Sequence, residues 1–225
     1  MKKFGLIIFI FALSIGASFS TNCSFGSIKN LSGVQGSGTS KTEKRNLSDF
    51  TKIDASGAVN VEVSVGNAFV VEVQADDNLL ANIKTEKSGD TLKIYSGDRI
   101  SPKTPVVIRV SMPEIENLEV SGASSGNLTN VKADDLELKA SGASKIKIEG
   151  TANELNAEAS GASTIDAENL KTESAEVNAS GASKTYVSAN KNLDAEASGA
   201  SKIVYTGEPK NLKQNSSGAS SITKK

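Results

Sequence analysis

Cys23 is the only cysteine in this 225-residue chain and its most reactive side chain. A lone thiol forms no internal disulfide. It follows a segment that reads as a leader. Lys2 and Lys3 form a short basic region, and Phe4 to Ile15 is an apolar run too short to span a bilayer comfortably. Two processing routes fit. Cleavage before Cys23 makes it the first mature residue and lets its sulfur carry a lipid. Cleavage after Ser18-Phe19-Ser20 leaves a free thiol near the new terminus. Lipidation is the reading adopted, with residues 1–22 as signal peptide. A buried lipid chain contributes about 0.8 kcal/mol per CH₂, so the partner implied by Cys23 is a membrane.

The other chemical candidates are weaker. Adjacent carboxylates occur at Asp76-Asp77 and Asp134-Asp135. Paired carboxylates hydrolyse polysaccharides when held at a set separation, but both pairs here read as turn residues at strand ends. Serine recurs throughout the second half, and Lys145, Lys184 and Lys202 follow it in three places. With no histidine in the chain, a seryl nucleophile would depend on a buried lysine as base. Recurrence of these lysines at one repeat position points to a structural ladder instead. The only aromatic residues after residue 120 are Tyr186 and Tyr205, so sugar-stacking platforms are nearly absent. The formal net charge is −1, and the three arginines, Arg45, Arg99 and Arg109, all precede the repeats. That balance leaves no electrostatic footprint for nucleic acid. The expectation is a noncatalytic protein with no cofactor and no metal site. The enzyme alternative is a polysaccharide-acting one.

What positions these residues is a repeat. Ser-Gly-Ala-Ser begins at Ser121, Ser141, Ser160, Ser180, Ser198 and Ser217, at intervals of 20, 19, 20, 18 and 19 residues, and Ser56-Gly57-Ala58 is a shorter upstream copy. A fixed period of this length marks a solenoid of stacked coils. Alternating stretches flank each copy, such as Leu136-Glu137-Leu138-Lys139-Ala140 before and Lys145-Ile146-Lys147-Ile148 after. Period-2 alternation means strands with one buried face. No stretch carries the i, i+3, i+4, i+7 pattern of a helix. Gly57, Gly122, Gly142, Gly161, Gly181, Gly199 and Gly218 are therefore read as the turning points of coils. Ala fills each narrow corner, and the Ser hydroxyls bond local backbone. Inward alanines such as Ala140, Ala157, Ala159, Ala179, Ala195 and Ala197 predict a thin, tightly wound core. Glu137, Lys139, Lys145, Lys147, Glu158 and Glu196 point outward and are the candidate binding residues.

Upstream, residues 23–46 read as a flexible tether, rich in Gly, Ser, Thr and Lys. Residues 47–120 read as a β-rich base, with strands over Phe50 to Ile53, Val59 to Val65, Phe69 to Gln74, Thr91 to Tyr95 and Val106 to Met112. Leu79 to Ile83 is a short helix or a loop. Residues 121–225 hold the coils.

These motifs, in order, carry a resemblance. Phe50-Thr51-Lys52-Ile53-Asp54-Ala55-Ser56-Gly57-Ala58, Asp90-Thr91-Leu92-Lys93-Ile94, Pro105-Val106-Val107-Ile108-Arg109-Val110 and Leu118-Glu119-Val120-Ser121-Gly122-Ala123-Ser124 resemble the DUF2807 family, the auto-transporter adhesin head GIN domain, over about residues 47–222. The resemblance implies a right-handed parallel β-helix in an exported protein or lipoprotein, many members coming from Bacteroidota. Ser20-Thr21-Asn22-Cys23 departs from the usual Leu-small-small-Cys lipobox and resembles the looser form of that group. No run of ten-residue barrel strands follows the coils, so self-export is not expected and the adhesin role rests on analogy. The implied function is a lipid-anchored binding or adhesin-like module of the cell envelope with an unspecified envelope or surface ligand. The periplasmic side of the outer membrane is expected before the cell surface, since no acidic run follows Cys23. The alternative is a structural solenoid that self-associates end to end.

Overall fold

The computed structural model describes residues 33–225. The leader, Cys23 and the first part of the expected tether lie outside the described residues. The base contains β1 (Val34–Gln35), β2 (Ser40–Arg45), β3 (Lys52–Ala55), β4 (Asn60–Val65), β5 (Val70–Asp76), β6 (Ile83–Ser88), β7 (Thr91–Ser96), β8 (Ile100–Ser101) and β9 (Val107–Met112). A single 3₁₀ turn, Asp77–Leu79, is its only helical element among the described residues. The coils follow as β10 (Asn117–Val120), β11 (Ser125–Ala140), β12 (Lys145–Ala159), β13 (Thr164–Ala179), β14 (Lys184–Ala197), β15 (Lys202–Thr206), β16 (Asn211–Ser216) and β17 (Ser221–Lys224).

Strands β10 to β17 pair in parallel with the coil before or after them, forming a parallel β-solenoid. Each long strand bends midway, where the register shifts between neighbours, as at Leu128/Val131 and Lys147/Glu149. The bend gives the stack two faces. The face that follows each Ser-Gly-Ala-Ser, here face A, runs from β4 through Ser125, Lys145, Thr164, Lys184, Lys202 and Ser221. The face that precedes it, face B, runs from β3 through β10 and the second halves of β11 to β14 to β16. At the base, the pairs β2–β5, β5–β9 and β6–β7 are antiparallel, so hairpin-like pairing closes the first coil.

Alternation explains the core. On face A, Ile146, Ile165 and Ile203 stack in register and are fully buried. On face B the buried residue beside the corner is Val120, Ala140, Ala159, Ala179 and Ala197 in successive coils. In the base, Phe50 is buried and its ring lies 5.0 Å from that of Phe69.

The corner itself differs from the sequence expectation in one respect. The Ala of the tetrapeptide is exposed, and the second Ser is buried: Ser124, Ser144, Ser163, Ser183 and Ser201 are at most 2% exposed. Their hydroxyls reach across coils. Ser144 Oγ donates to Val120 O at 3.0 Å, Ser163 Oγ to Ala140 O at 3.0 Å and Ser201 Oγ to Ala179 O at 3.0 Å. A buried hydroxyl must find an acceptor, and the carbonyl of the neighbouring coil is the one within reach. Ala is excluded from the interior because the preceding Gly turns its side chain outward. At Gly161 φ is +70°, and an added Cβ would lie 2.7 Å from Gly142 O. That carbonyl accepts the Ala162 amide at 2.7 Å, so each corner is stitched to the next by its own hydrogen bond.

The tether expectation fails over residues 33–46. β1 pairs with β8, and β2 makes a six-residue antiparallel ladder with β5. No apolar periodicity marks this segment, because β2 lies on the sheet edge with nearly every side chain exposed. Strand β6 also escaped the sequence reading, since Ile83 is its only buried residue.

Candidate binding face

Face B carries the candidate site. Its outward positions form in-register ladders about 4.8 Å apart. One ladder is Glu119, Lys139, Glu158, Asn178, Glu196 and Asn215. The next is Asn117, Glu137, Asn156, Glu176, Asp194 and Lys213. Between the first ladder and the corner serines Ser141, Ser160, Ser180, Ser198 and Ser217 runs a groove of about 510 Å³. Small Ala and Ser side chains make its floor low, and the long ladder side chains make its wall.

A second groove, of about 860 Å³, lies on the other side of these ladders. Its acidic lining includes Glu114, Asp134, Asp135, Glu154, Glu176 and Asp194, against Lys52 as the cation in its wall. Lys52 is already engaged by Asp90 at 2.7 Å and by Glu116 at 3.7 Å. The hydrogen bond that Lys52 donates to Asp90 raises the Lys52 pKa and lowers that of Asp90, so both stay charged.

The ladders partly neutralise themselves. Lys139 lies 2.6 Å from Glu137 and 4.0 Å from Glu158. The Lys139 ammonium holds the Glu137 carboxyl below the ordinary range, with help from Asn117, and Glu137 raises Lys139 in return. Lys213 donates to Asp194 at 2.8 Å and Asn215 to Glu196 at 3.1 Å. Exposed pairs of this kind add little to stability. Their effect is to set the charge pattern of the face. Two acceptors on the second ladder, Asn156 Oδ1 and Asp194 Oδ1, have no partner among the described residues.

The sequence candidates divide between the faces. Glu137, Lys139, Glu158 and Glu196 come together on face B, whereas Lys145 and Lys147 stand on face A. Lys145, Lys184 and Lys202 share one register position, with Thr164 between the first two. The carboxylate pairs have separate duties. Asp76 is fully buried in the base, and Asp134 accepts from Asn153 at 2.7 Å. Among the described residues no three His, Cys, Asp or Glu side chains are grouped to hold a metal, and no helix is long and apolar enough to cross a membrane. The acidic groove escaped sequence reasoning because its residues come from separate coils. The available signal was the recurrence of acids four residues before the tetrapeptide, as in Glu137, Glu176 and Asp194.

A family described as "Putative auto-transporter adhesin, head GIN domain" matches residues 49–209 of this chain. The chain belongs to this family. Among solved structures, a putative adhesin from Bacteroides fragilis superposes with a TM-score of 0.73 at 21% identity, covering 86% of this chain and 100% of that one. A putative lipid binding protein from Parabacteroides distasonis gives 0.57 at 22% identity, covering 85% and 99%. A putative adhesin from the same species gives 0.53 at 19% identity, again covering 85% and 99%. At these identities the likeness shows the fold alone. No curated protein matches the chain. The names borne by this head GIN family and by these neighbours describe adhesins or binding proteins, not enzymes.

Proposed function

We propose that this head GIN protein is an exported, noncatalytic envelope module, held to a membrane by lipid on Cys23, that binds a ligand along face B. The observation that carries the binding role is the pair of grooves running along one face of the stack, walled by in-register polar ladders. A rod with a repeating face suits an extended ligand better than a compact one, because each coil offers the same groups at the same spacing. The names of the family and of its neighbours support an adhesin-like or lipid-binding role outside the cytoplasm. The leader sequence and the position of Cys23 support the anchor.

The test uses the protein in its native cell. Ser180→Trp places a large side chain in the first groove, and Lys147→Trp does the same on face A as a control. Both should fold. Adherence of the cells to their natural surfaces is expected to fall with Ser180→Trp and to persist with Lys147→Trp. Equal adherence of both would remove face B from the proposal. Intact mass and membrane partitioning of Cys23→Ala test the anchor separately. Diacylglyceryl mass on the wild type, lost together with membrane association in the variant, is the expected result; an unmodified, soluble wild type overturns it.

A further inference from the structure

Residues 33–39 are held to the base almost entirely by polar contacts. Their strand, β1, meets β8 through two residue pairs, Val34 with Ile100 and Gln35 with Ser101, in a two-stranded sheet separate from the main one. Its backbone bonds run from Val34 N to Arg99 O and from Gly36 N to Ser101 O, each 2.9 Å. Val34, its one large apolar side chain, remains 44% exposed. A ladder this short with so little buried apolar area has little stability of its own.

A built clip compensates. The fully buried Asp76 carboxylate accepts Gly38 N at 2.8 Å on Oδ1, and Lys103 N at 2.8 Å and Thr104 N at 3.2 Å on Oδ2. One side chain thus bridges residue 38 to the loop after β8. The next two residues add to it. Ser37 Oγ donates to Asp77 Oδ1 at 2.5 Å, Ser37 N to Asn78 Oδ1 at 2.9 Å, and Asn78 Nδ2 to Gln35 O at 2.8 Å. The seat also fits closely from the other side. A Cβ on Gly36 would fall 2.1 Å from Asp76 Oδ2. Beyond Ser40 the attachment changes character, because β2 makes six consecutive pairs with β5.

We propose that residues 33–39 are a releasable strap, latched by Asp76, that opens as a unit up to Ser40 while the base and coils stay folded. Its consequence for the anchored molecule rests on the Cys23 reading above: release of residues 33–39 adds at most about 25 Å of chain ahead of β2 at the extended-chain limit.

Hydrogen exchange on the full-length chain decides it. In Asp76→Asn the amides of residues 34–39, 101, 103 and 104 are expected to exchange at least tenfold faster than in the wild type, with the amides of β11 to β14 unchanged. Gly36→Val attacks the same seat while leaving Asp76 intact, and the same pattern is expected from it. If the strap amides keep wild-type protection in both variants, there is no latch. If they exchange only together with the coil amides, the strap is part of the cooperative domain and the proposal fails. Neither readout involves Cys23, so an unlipidated Cys23 would remove the consequence for the anchor and leave the latch standing, and a failed latch would leave the anchor untouched.

Discussion

Thr185 occupies a position that Ile146, Ile165 and Ile203 hold in neighbouring coils, and it is fully buried. Its hydroxyl has no partner among the described residues. A buried, unpaired donor costs its desolvation and returns nothing. Thr185→Val keeps the shape and removes that cost, so it should stabilise the protein by about 1 kcal/mol, seen as a higher midpoint in thermal unfolding. An unchanged or lower midpoint would mean that the hydroxyl is satisfied by water. Gly161 is the opposite case. At φ +70° a β-branched side chain is a genuine outlier, and its Cβ would press on the Gly142 carbonyl that accepts the Ala162 amide. Gly161→Val should cost about 2–4 kcal/mol, and denaturant melts that superpose on the wild type would refute the stitched corner. The turning role of this glycine was readable from the repeat. The burial of the second Ser was not, because Ala and Ser are both small and a linear sequence does not say which one faces the carbonyl of the coil below.

Elements with an alternating pattern were legible; those held by edges and by single polar groups were not. Val59 to Val65 alternates and became β4, Asn60–Val65. The segment Ser40–Arg45 is Ser-Lys-Thr-Glu-Lys-Arg, which has no apolar face, yet it is a strand because β5 offers it a free edge. Asp76-Asp77 looked like turn filler, and its role emerges only when residues 38 and 103 arrive beside it. That role has a pH signature. Burial pushes the Asp76 carboxyl up, but hydrogen bonds from the Lys103, Thr104 and Gly38 amides outweigh it, and the net pKa lies below the ordinary aspartate value. A carboxylate with a depressed folded pKa stabilises the structure above its unfolded pKa and loses that contribution as pH falls towards the folded one. Protection of the strap amides should therefore hold at neutral pH and decline only below the ordinary aspartate range. In Asp76→Asn it should be low and flat with pH. A wild-type strap that loosens already between pH 5 and 7 would assign the latch to another group.

Across the whole molecule the interior of face B thins from base to tip. The ladder Leu92, Ile53, Leu118, Leu138 is bulky and fully buried, and it continues as Ala157, Val177 and Ala195. In β16 the same position is Gln214, and every residue of that strand is exposed. Neighbouring coils interact only with each other, so the stability of a solenoid is close to a sum of local terms and its weakest coils open first. The first groove of face B runs along this gradient, with Glu119 at the thick end and Asn215 at the thin end. Native-state exchange should thus be graded, slowest at β3, β7 and β10, faster through β14, and fastest at β16. Two substitutions at one ladder position calibrate the slope. Leu138→Ala should cost about 3 kcal/mol, whereas Gln214→Ala should stay within about 0.5 kcal/mol. If protection is uniform from β3 to β16, or if the two variants cost the same, the domain unfolds as one unit. The thin end would then be as firm as the base, and a ligand lying along face B would meet a rigid surface over its full length. The graded outcome instead gives the ligand a firm half and a yielding half. Binding should then slow exchange most at β14 and β16, where there is most opening to suppress.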